Sequence, residues 1–143
     1  MSVVLDTNIL VAGLYSRRGA SYQLIKAAIS GELSIAISPL IAFEYEGILH
    51  RKIDEGFLHI SEDNCNQILN SIFSQASVVW KPIKIRPMLS DLSDDKILEC
   101  AVSCNCTHIV TFNTKHFPSA LISPWGIQVV TAGQFLHQWR NKL

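Results

Sequence analysis

Acidic side chains interrupt segments of this sequence that otherwise favour buried structure. Asp6 follows the strand-forming residues 3–5, and a carboxylate in such a setting costs free energy unless something compensates it. Glu44 lies in the middle of a predicted helix, and Asp94 and Asp95 begin another. Because carboxylates that converge on one cleft repel each other, such a cluster needs a neutralising cation.

The types of donor in this set indicate which cation it would bind. Thr111 and Asn113, which follow a later predicted strand, add two more oxygen-bearing side chains. Oxygen ligands without histidine or cysteine suit Mg²⁺ or Mn²⁺ better than zinc. Mg²⁺ keeps several waters and often contacts a substrate phosphate. The set therefore points to phosphoryl chemistry, in which the metal activates water and stabilises the charged transition state.

The aspartates also have purely structural explanations, which the sequence leaves open. Asp6 is placed to cap the turn after its strand, and Asp94 and Asp95 suit the positive end of a helix dipole. Glu44 lacks such an explanation, because its neighbours three and four positions away are apolar or small, whereas Glu46 has His50 among its neighbours. We therefore expect Glu44 to face inward.

Short apolar runs alternate with helical patterns along the chain, and these elements must position the acidic residues. The predicted strands are 2–6, 33–38, 77–80, 107–112 and 126–130; the predicted helices are 20–31, 39–52, 61–74, 94–104 and the segment after Thr131. Residues 82–95 are predicted to form mostly a loop. This alternation predicts a parallel sheet covered on both faces, and ligands gather at the carboxyl ends of such strands.

Bulk properties narrow the class of protein. A length of 143 residues with 48% hydrophobic residues suits one domain, 1–143, with a real core. The sequence has no apolar run long enough to span a membrane and no signal-peptide pattern, so we expect a cytoplasmic protein. The formal net charge of zero gives no independent support for a nucleic-acid partner.

The segment "CAVSCNCTH" allows a second, competing metal hypothesis. Cys100, Cys104, Cys106 and His108 would be its zinc ligands. Their spacing matches none of the common zinc patterns, and small buried cysteines explain the segment better.

Three segments, taken in order, resemble the PIN-domain family of metal-dependent ribonucleases and together cover nearly the whole chain. "VLDTNIL" is similar to the family's opening strand and first acidic motif, "SPLIAFEYEGILHR" to its second segment, and "DLSDDKILECAVSCNCTHIVTFNTKHF" to its third segment and the strand that follows. The second segment and "TFNTKHFP" are most similar to a branch described as toxin components of toxin–antitoxin systems. The order and spacing of the segments make the resemblance specific.

The resemblance implies a three-layer α/β/α sandwich with a central, mainly parallel sheet. It implies Mg²⁺ or Mn²⁺ at Asp6, Glu44 and Asp95, with Asp94 as an auxiliary ligand, and an endoribonuclease that cuts single-stranded or structured RNA. Many bacterial single-domain members are toxins held inactive by a small antitoxin, and PIN domains are often homodimers. RNA, an antitoxin and a second copy are therefore the expected partners, with residues 72–80 or the terminal helix as surfaces for the second copy.

Polar neighbours are expected to support these ligands. Asn8 is expected to hydrogen-bond a carboxylate and fix its direction, and Thr7 and Thr111 to do so through their hydroxyls, although ordinary turn or strand bonding explains them equally well. Asn113 stands where many PIN nucleases carry an aspartate, so the site loses one charge there. That loss weakens metal binding and puts a second metal in doubt.

RNA binding requires positive charge near the cleft. The candidate phosphate contacts are Arg17, Arg18, Arg51, Lys52, Lys115 and His116. Solvated surface charge is the alternative explanation for each of them.

Two other functional classes remain open from the sequence. A PIN-like domain with reduced charge would serve as a catalytically weak RNA- or protein-binding module. A haloacid-dehalogenase-like phosphatase also begins with an aspartate after its first strand, but it needs a second aspartate where Asn8 stands.

Overall fold

A computed structural model of the chain describes residues 1–141, whose strands form one five-stranded sheet. The strands are β1 (Ser2–Leu5), β2 (Ser34–Ile37), β3 (Ser77–Val78), β4 (His108–Val110) and β5 (Gln128–Val130). The helices are α1 (Thr7–Tyr15), α2 (Ala20–Ser30), α3 (Pro39–Asp54), α4 (Glu62–Gln75), α5 (Leu92–Ser103), α6 (Ser119–Ile122) and α7 (Ala132–Asn141). Positions 142 and 143 of the expected domain lie outside the described residues.

The sheet is parallel throughout, with the strand order β3-β2-β1-β4-β5. Val3 pairs with Ile35 of β2 on one side and with His108 of β4 on the other. The chain therefore builds outward from β1 to β3 and then crosses back to place β4 on the opposite side of β1. This reversal creates a switch point between the carboxyl ends of β1 and β4, where α/β sheets bind ligands.

Helices cover the sheet on both faces, which confirms the predicted three-layer α/β/α architecture. Val3, Val4 and Leu5 of β1 are completely buried. Because successive side chains of a strand point to opposite faces, burial of all three requires a helix layer on each side. No helix within residues 1–141 has the length and apolar character needed to cross a membrane.

Local signals in the sequence set most of the helix ends. Pro39 starts α3 behind Ser38, whose hydroxyl accepts a hydrogen bond from the backbone N–H of Ile41 at 3.4 Å. Gly31 ends α2 with φ at +80°, a conformation that disfavours side chains with a Cβ. Both ends agree with the sequence prediction.

Two helix starts differ from the sequence prediction. The sequence predicted no helix immediately after β1, yet α1 begins at Thr7. The helix α5 begins at Leu92, two residues before the predicted start, because the Asp91 carboxylate accepts a hydrogen bond from the Ser93 N–H at 2.9 Å. In the segment "VLDTNIL", Asp6 is therefore the cap of a helix, and Thr7 and Asn8 form its first residues.

Candidate metal centre

A cavity of about 530 Å³ opens at the switch point between β1 and β4. Its lining includes a set of mostly polar residues: Asp6, Thr7, Asn8, Glu44, Asp91, Ser93, Asp94, Asn113 and His116. The remaining lining residues are mostly apolar: Val11, Ala12, Tyr15, Ile48, Lys52 and Phe57. Its polar residues come from segments far apart in the sequence, which the parallel topology brings to one edge of the sheet.

Asp6 links β1 to α1 and faces the cavity. Its Oδ1 accepts a hydrogen bond from the backbone N–H of Thr7 at 2.8 Å, and its Oδ2 accepts one from the Thr111 hydroxyl at 2.8 Å. Asp6 therefore fits both explanations, as a structural cap and as a candidate ligand, because the carboxylate that caps α1 also lines the cavity.

The Thr111 hydroxyl organises the polar residues around Asp6. It accepts hydrogen bonds from the Asn8 amide at 3.3 Å and from the backbone N–H of Asn113 at 3.0 Å, while it donates to Asp6. The Asn8 side-chain oxygen accepts from the Phe112 N–H at 3.3 Å. Asn8 thus acts on the carboxylate through Thr111, whereas we expected it to bond a carboxylate directly.

Glu44 projects from α3 into the same cavity and is held from two sides. Its Oε2 accepts a hydrogen bond from the Thr7 hydroxyl, and its Oε1 lies 2.8 Å from the Nζ atom of Lys96. Glu46, two residues later on the same helix, is exposed. Lys96 is a contact that the sequence interpretation did not include.

The start of α5 supplies a second group of potential ligands. The ligand atoms of Asp91, Asp94 and His116 lie within 4.8 Å of one another, and the His116 Nδ1 is 3.0 Å from the Asp94 Oδ2. Asp91 and His116 are exposed, whereas Asp94 is buried. Asp91 was not singled out from the sequence, although its position three residues before Asp94 in "DLSDD" places both at one helix N-terminus.

Asp95 is not part of this group. Its side chain does not line the cavity, the residue is 1% exposed, and its Oδ1 accepts hydrogen bonds from the backbone N–H groups of Met88 at 3.4 Å and Leu89 at 3.0 Å. Its Oδ2 has no hydrogen-bond partner among the described residues. Adjacent residues on a helix point about 100° apart, and of these two only Asp94 lines the cavity. The cavity thus brings Asp94, the expected auxiliary ligand, together with Asp6 and Glu44, whereas Asp95, also an expected ligand, is not part of its lining.

Burial and mutual repulsion shape the acidity of the cavity. Burial raises the pKa of the Asp6 carboxyl, and the negative charge of Glu44 adds to the rise. Burial also raises the pKa of Asp94, and the charge of Asp6 adds to that rise. The hydrogen bonds that these two carboxyls accept act in the opposite direction. Carboxyls whose ionisation is disfavoured in this way are stabilised by a nearby cation.

The expected phosphate contacts lie in different places. Lys52 and His116 line the cavity, whereas Lys115 lines a separate one. Arg17 and Arg18 are exposed immediately after α1. Arg51 is exposed and forms an ion pair with Glu55 at 3.6 Å.

The cysteine-rich segment does not form a metal cluster within residues 1–141. Burial raises the pKa of Cys100 to about 12 and raises that of Cys106 as well. His108 instead bonds the Thr107 hydroxyl at 2.7 Å and the Gln138 side-chain oxygen at 2.8 Å. These thiols are packed in the core as small apolar groups.

Comparison with known proteins assigns the chain to a family. The family model described as PIN domain matches residues 2–115. This chain belongs to the PIN-domain family. No curated protein matches it significantly.

Two solved structures are similar over nearly the whole chain. One is VapBC2 from Rickettsia felis bound to a DNA fragment from its promoter, with 18% identity, a TM-score of 0.59, and coverage of 91% of this chain and 98% of that one. The other is VapBC-1 from nontypeable Haemophilus influenzae, with 18% identity, a TM-score of 0.56, and coverage of 93% of this chain and 99% of that one. At this identity the likeness establishes the shared fold.

Proposed function

We propose that this protein is an endoribonuclease that uses Mg²⁺ or Mn²⁺ to hydrolyse phosphodiester bonds in single-stranded or structured RNA. One observation carries the proposal: Asp6, Glu44 and Asp94 line a single cavity at the switch point of the sheet. They come from the end of β1, from α3 and from α5. Three carboxylates with oxygen-bearing neighbours fit a hard divalent cation.

Different residues of the chain would have different roles at such a site. Asp6, Glu44 and Asp94 would hold the ion, and Asp91 and His116 lie beside Asp94 at the exposed side. When bound, the ion supplies an activated water and neutralises charge that develops on the phosphate. The hydroxyls of Thr7 and Thr111 fix the directions of Glu44 and Asp6. Asp95 holds the backbone that precedes α5.

We further propose that a small antitoxin is the protein partner. The similar solved structures are VapBC complexes, and the segments "SPLIAFEYEGILHR" and "TFNTKHFP" resemble the toxin branch of the family. A neighbouring reading frame for a small DNA-binding protein would support this partner, and its absence would favour a solitary nuclease.

We also propose that each chain forms one PIN-like domain and that the protein is a homodimer located in the cytoplasm. Of the two expected surfaces, α7 buries Phe135 and Leu136 in the core. Val78, in the edge strand β3, and Trp80, two residues later, are exposed, and Trp80 keeps 74% of its surface accessible. The 72–80 segment is therefore the better candidate for the contact between copies.

A metal-dependent cleavage assay tests the nuclease. Wild-type protein with Mn²⁺ is expected to cleave single-stranded RNA, and Asp6→Asn is expected to abolish cleavage and weaken Mn²⁺ binding measured by calorimetry. Glu46→Gln is the matched control, because Glu46 is an exposed carboxylate on the same helix as Glu44. If wild-type protein cleaves no RNA and Asp6→Asn binds Mn²⁺ as tightly as wild type, the proposed mechanism is overturned.

A catalytically weak binding module is the second candidate, and two contacts favour it. Lys96 lies against Glu44 and His116 against Asp94, so two carboxylates already have cationic or hydrogen-bonding partners without a metal. RNA binding without Mn²⁺-dependent cleavage would support this candidate. The family assignment leaves the phosphatase alternative without support.

A further inference from the structure

An aromatic pair lines the same cavity as the carboxylates. Tyr15, the last residue of α1, is stacked on Phe57, with ring centroids 4.7 Å apart and an interplanar angle of 18°. Phe57 lies in the connection between α3 and α4. Tyr15 remains 61% exposed and Phe57 43% exposed. A stack with so much exposed surface contributes less burial than a core pair and leaves Tyr15 accessible to a further ring.

One lysine contacts this aromatic pair, and two arginines follow it closely in sequence. The Nζ atom of Lys52 lies 5.3 Å from the centroid of the Phe57 ring, within the range of a cation–π interaction, and Lys52 lines the same cavity. Arg17 and Arg18 follow Tyr15 within three residues, and both are exposed. The cavity wall therefore contains carboxylates that fit a metal ion, an exposed aromatic pair and Lys52, and Arg17 and Arg18 follow Tyr15 closely in sequence.

We propose that Tyr15 and Phe57 form a stacking platform for a nucleobase of the RNA, beside the phosphate that lies at the carboxylates. This inference rests on the proposed nuclease function and names a base-binding subsite for it. Aromatic side chains bind single-stranded nucleic acid by stacking on the faces of successive bases, and neighbouring cations bind the phosphates. The base extends the stack on the open face of Tyr15, while Lys52, Arg17 and Arg18 neutralise the flanking phosphates.

The arrangement favours a nucleotide over an apolar protein surface. A protein partner would bury the aromatic pair but would also need acidic groups to match Lys52, Arg17 and Arg18. Single-stranded RNA supplies flat rings and negative phosphates in alternation, which matches both features. A stacking platform is tolerant of base identity, because every base has a π face, so the subsite contributes affinity and register more than sequence choice.

A binding experiment that does not depend on cleavage tests the platform. The probe is a short single-stranded RNA that carries 2-aminopurine, titrated against the full chain in the Asp6→Asn background so that the RNA stays intact. Stacking on Tyr15 is expected to quench the 2-aminopurine fluorescence. Tyr15→Leu is expected to remove the quenching and to weaken binding by about 5- to 100-fold, while Tyr15→Phe retains both.

Matched variants separate stacking from general effects. Trp125→Leu removes an exposed aromatic residue that does not line the cavity, and it is expected to leave binding unchanged. Phe57→Leu, checked for folding by circular dichroism, is expected to weaken binding in the same direction as Tyr15→Leu. An RNA that lacks one base at the quenched position is expected to bind wild type and Tyr15→Leu with equal affinity.

The outcomes distinguish this inference from the nuclease proposal. If wild-type protein cleaves RNA but Tyr15→Leu binds the probe as tightly as Tyr15→Phe, the platform is overturned and the nuclease stands. If Tyr15→Leu weakens binding but wild-type protein never cleaves RNA, the platform stands and the nuclease fails. If Tyr15→Leu changes only self-association, measured by sedimentation, the pair is a contact between copies and the platform is overturned.

Discussion

The ammonium group of Lys96 lies 2.8 Å from the Oε1 of Glu44, and this ion pair joins α5 to α3 at the wall of the acidic cavity. Both side chains are largely shielded from solvent, so water screens their attraction less than it would on the surface. Lys96 therefore already neutralises one of the carboxylates that would hold a metal ion. A metal ion held by Glu44 would compete with the lysine for the same charge.

Replacing Lys96 is expected to strengthen metal binding. Lys96→Met removes the competing cation, so the affinity of the metal-free protein for Mn²⁺ should rise by about 1 kcal/mol, or about fivefold. Calorimetric titration with Mn²⁺ measures the change. Lys26→Met is the matched control, because Lys26 lies on α2 over the ring of Tyr22 and does not line the cavity. An unchanged affinity would show that Lys96 does not compete for the site.

Neutralising Asp94 is expected to stabilise the metal-free protein. The folded state raises the pKa of Asp94, because burial and the charge of Asp6 oppose its ionisation. The folded state therefore binds more protons than the unfolded state between the ordinary aspartate pKa and the raised value, and stability falls as pH rises through that window. Asp94→Asn should raise the free energy of unfolding at neutral pH by about 0.5–2 kcal/mol, as measured by urea denaturation.

The same variant also tests the metal. Added Mn²⁺ should stabilise wild-type protein, because the ion binds the folded state, and it should stabilise Asp94→Asn much less. Glu46→Gln should respond to Mn²⁺ as wild type does. Equal stabilisation of wild type and Asp94→Asn would remove Asp94 from the set of ligands.

We expect Asp95 to contribute mainly to the stability of the fold and not to metal binding. Asp95→Ala removes the acceptor for the Met88 and Leu89 N–H groups, and Leu89 is buried. The loss should lower the free energy of unfolding by about 1–3 kcal/mol, measured by urea denaturation in EDTA. Asp95→Asn keeps one side-chain oxygen and should lose less. A stable Asp95→Ala protein that no longer binds Mn²⁺ would instead make Asp95 a ligand, as the sequence resemblance implies.

The sequence predicted the layers of the fold because the strands are buried runs separated by helical patterns. The burial of Val3, Val4 and Leu5 on both faces of the sheet follows directly from that pattern. The helix α1 was missed because the signal that starts it is Asp6 itself, which we interpreted as a ligand or a turn cap. The Asp6 carboxylate both caps α1 and lines the cavity, and a sequence motif alone does not distinguish these two roles.

The sequence predicted the site residues less completely than the fold, because it does not show in which direction each side chain points. Sequence places Asp94 and Asp95 together at the start of a helix, but only the backbone geometry decides which of them faces the cavity. Lys96 was missed because a lysine in a helix is usually a solvated charge. Tyr15 and Phe57 were missed because they are far apart in sequence, and only the approach of α1 to the α3–α4 connection stacks them.

Restoring the charge at Asn113 is expected to strengthen metal binding and weaken the metal-free fold. Asn113 lines the cavity near Asp6 and Asp94, and its backbone N–H is already fixed by Thr111 at 3.0 Å. Asn113→Asp adds a carboxylate to a site that already disfavours ionisation, so the affinity for Mn²⁺ should rise by about tenfold. Stability in EDTA should fall as pH rises above the ordinary aspartate range, because the added repulsion raises the carboxyl pKa values further.

Asn70→Asp, on an exposed position of α4, is the control and should change neither the Mn²⁺ affinity nor the stability in EDTA. Tighter Mn²⁺ binding together with faster RNA cleavage would show that Asn113 limits the activity of the wild-type site, and an unchanged Mn²⁺ affinity would place position 113 outside the metal's reach.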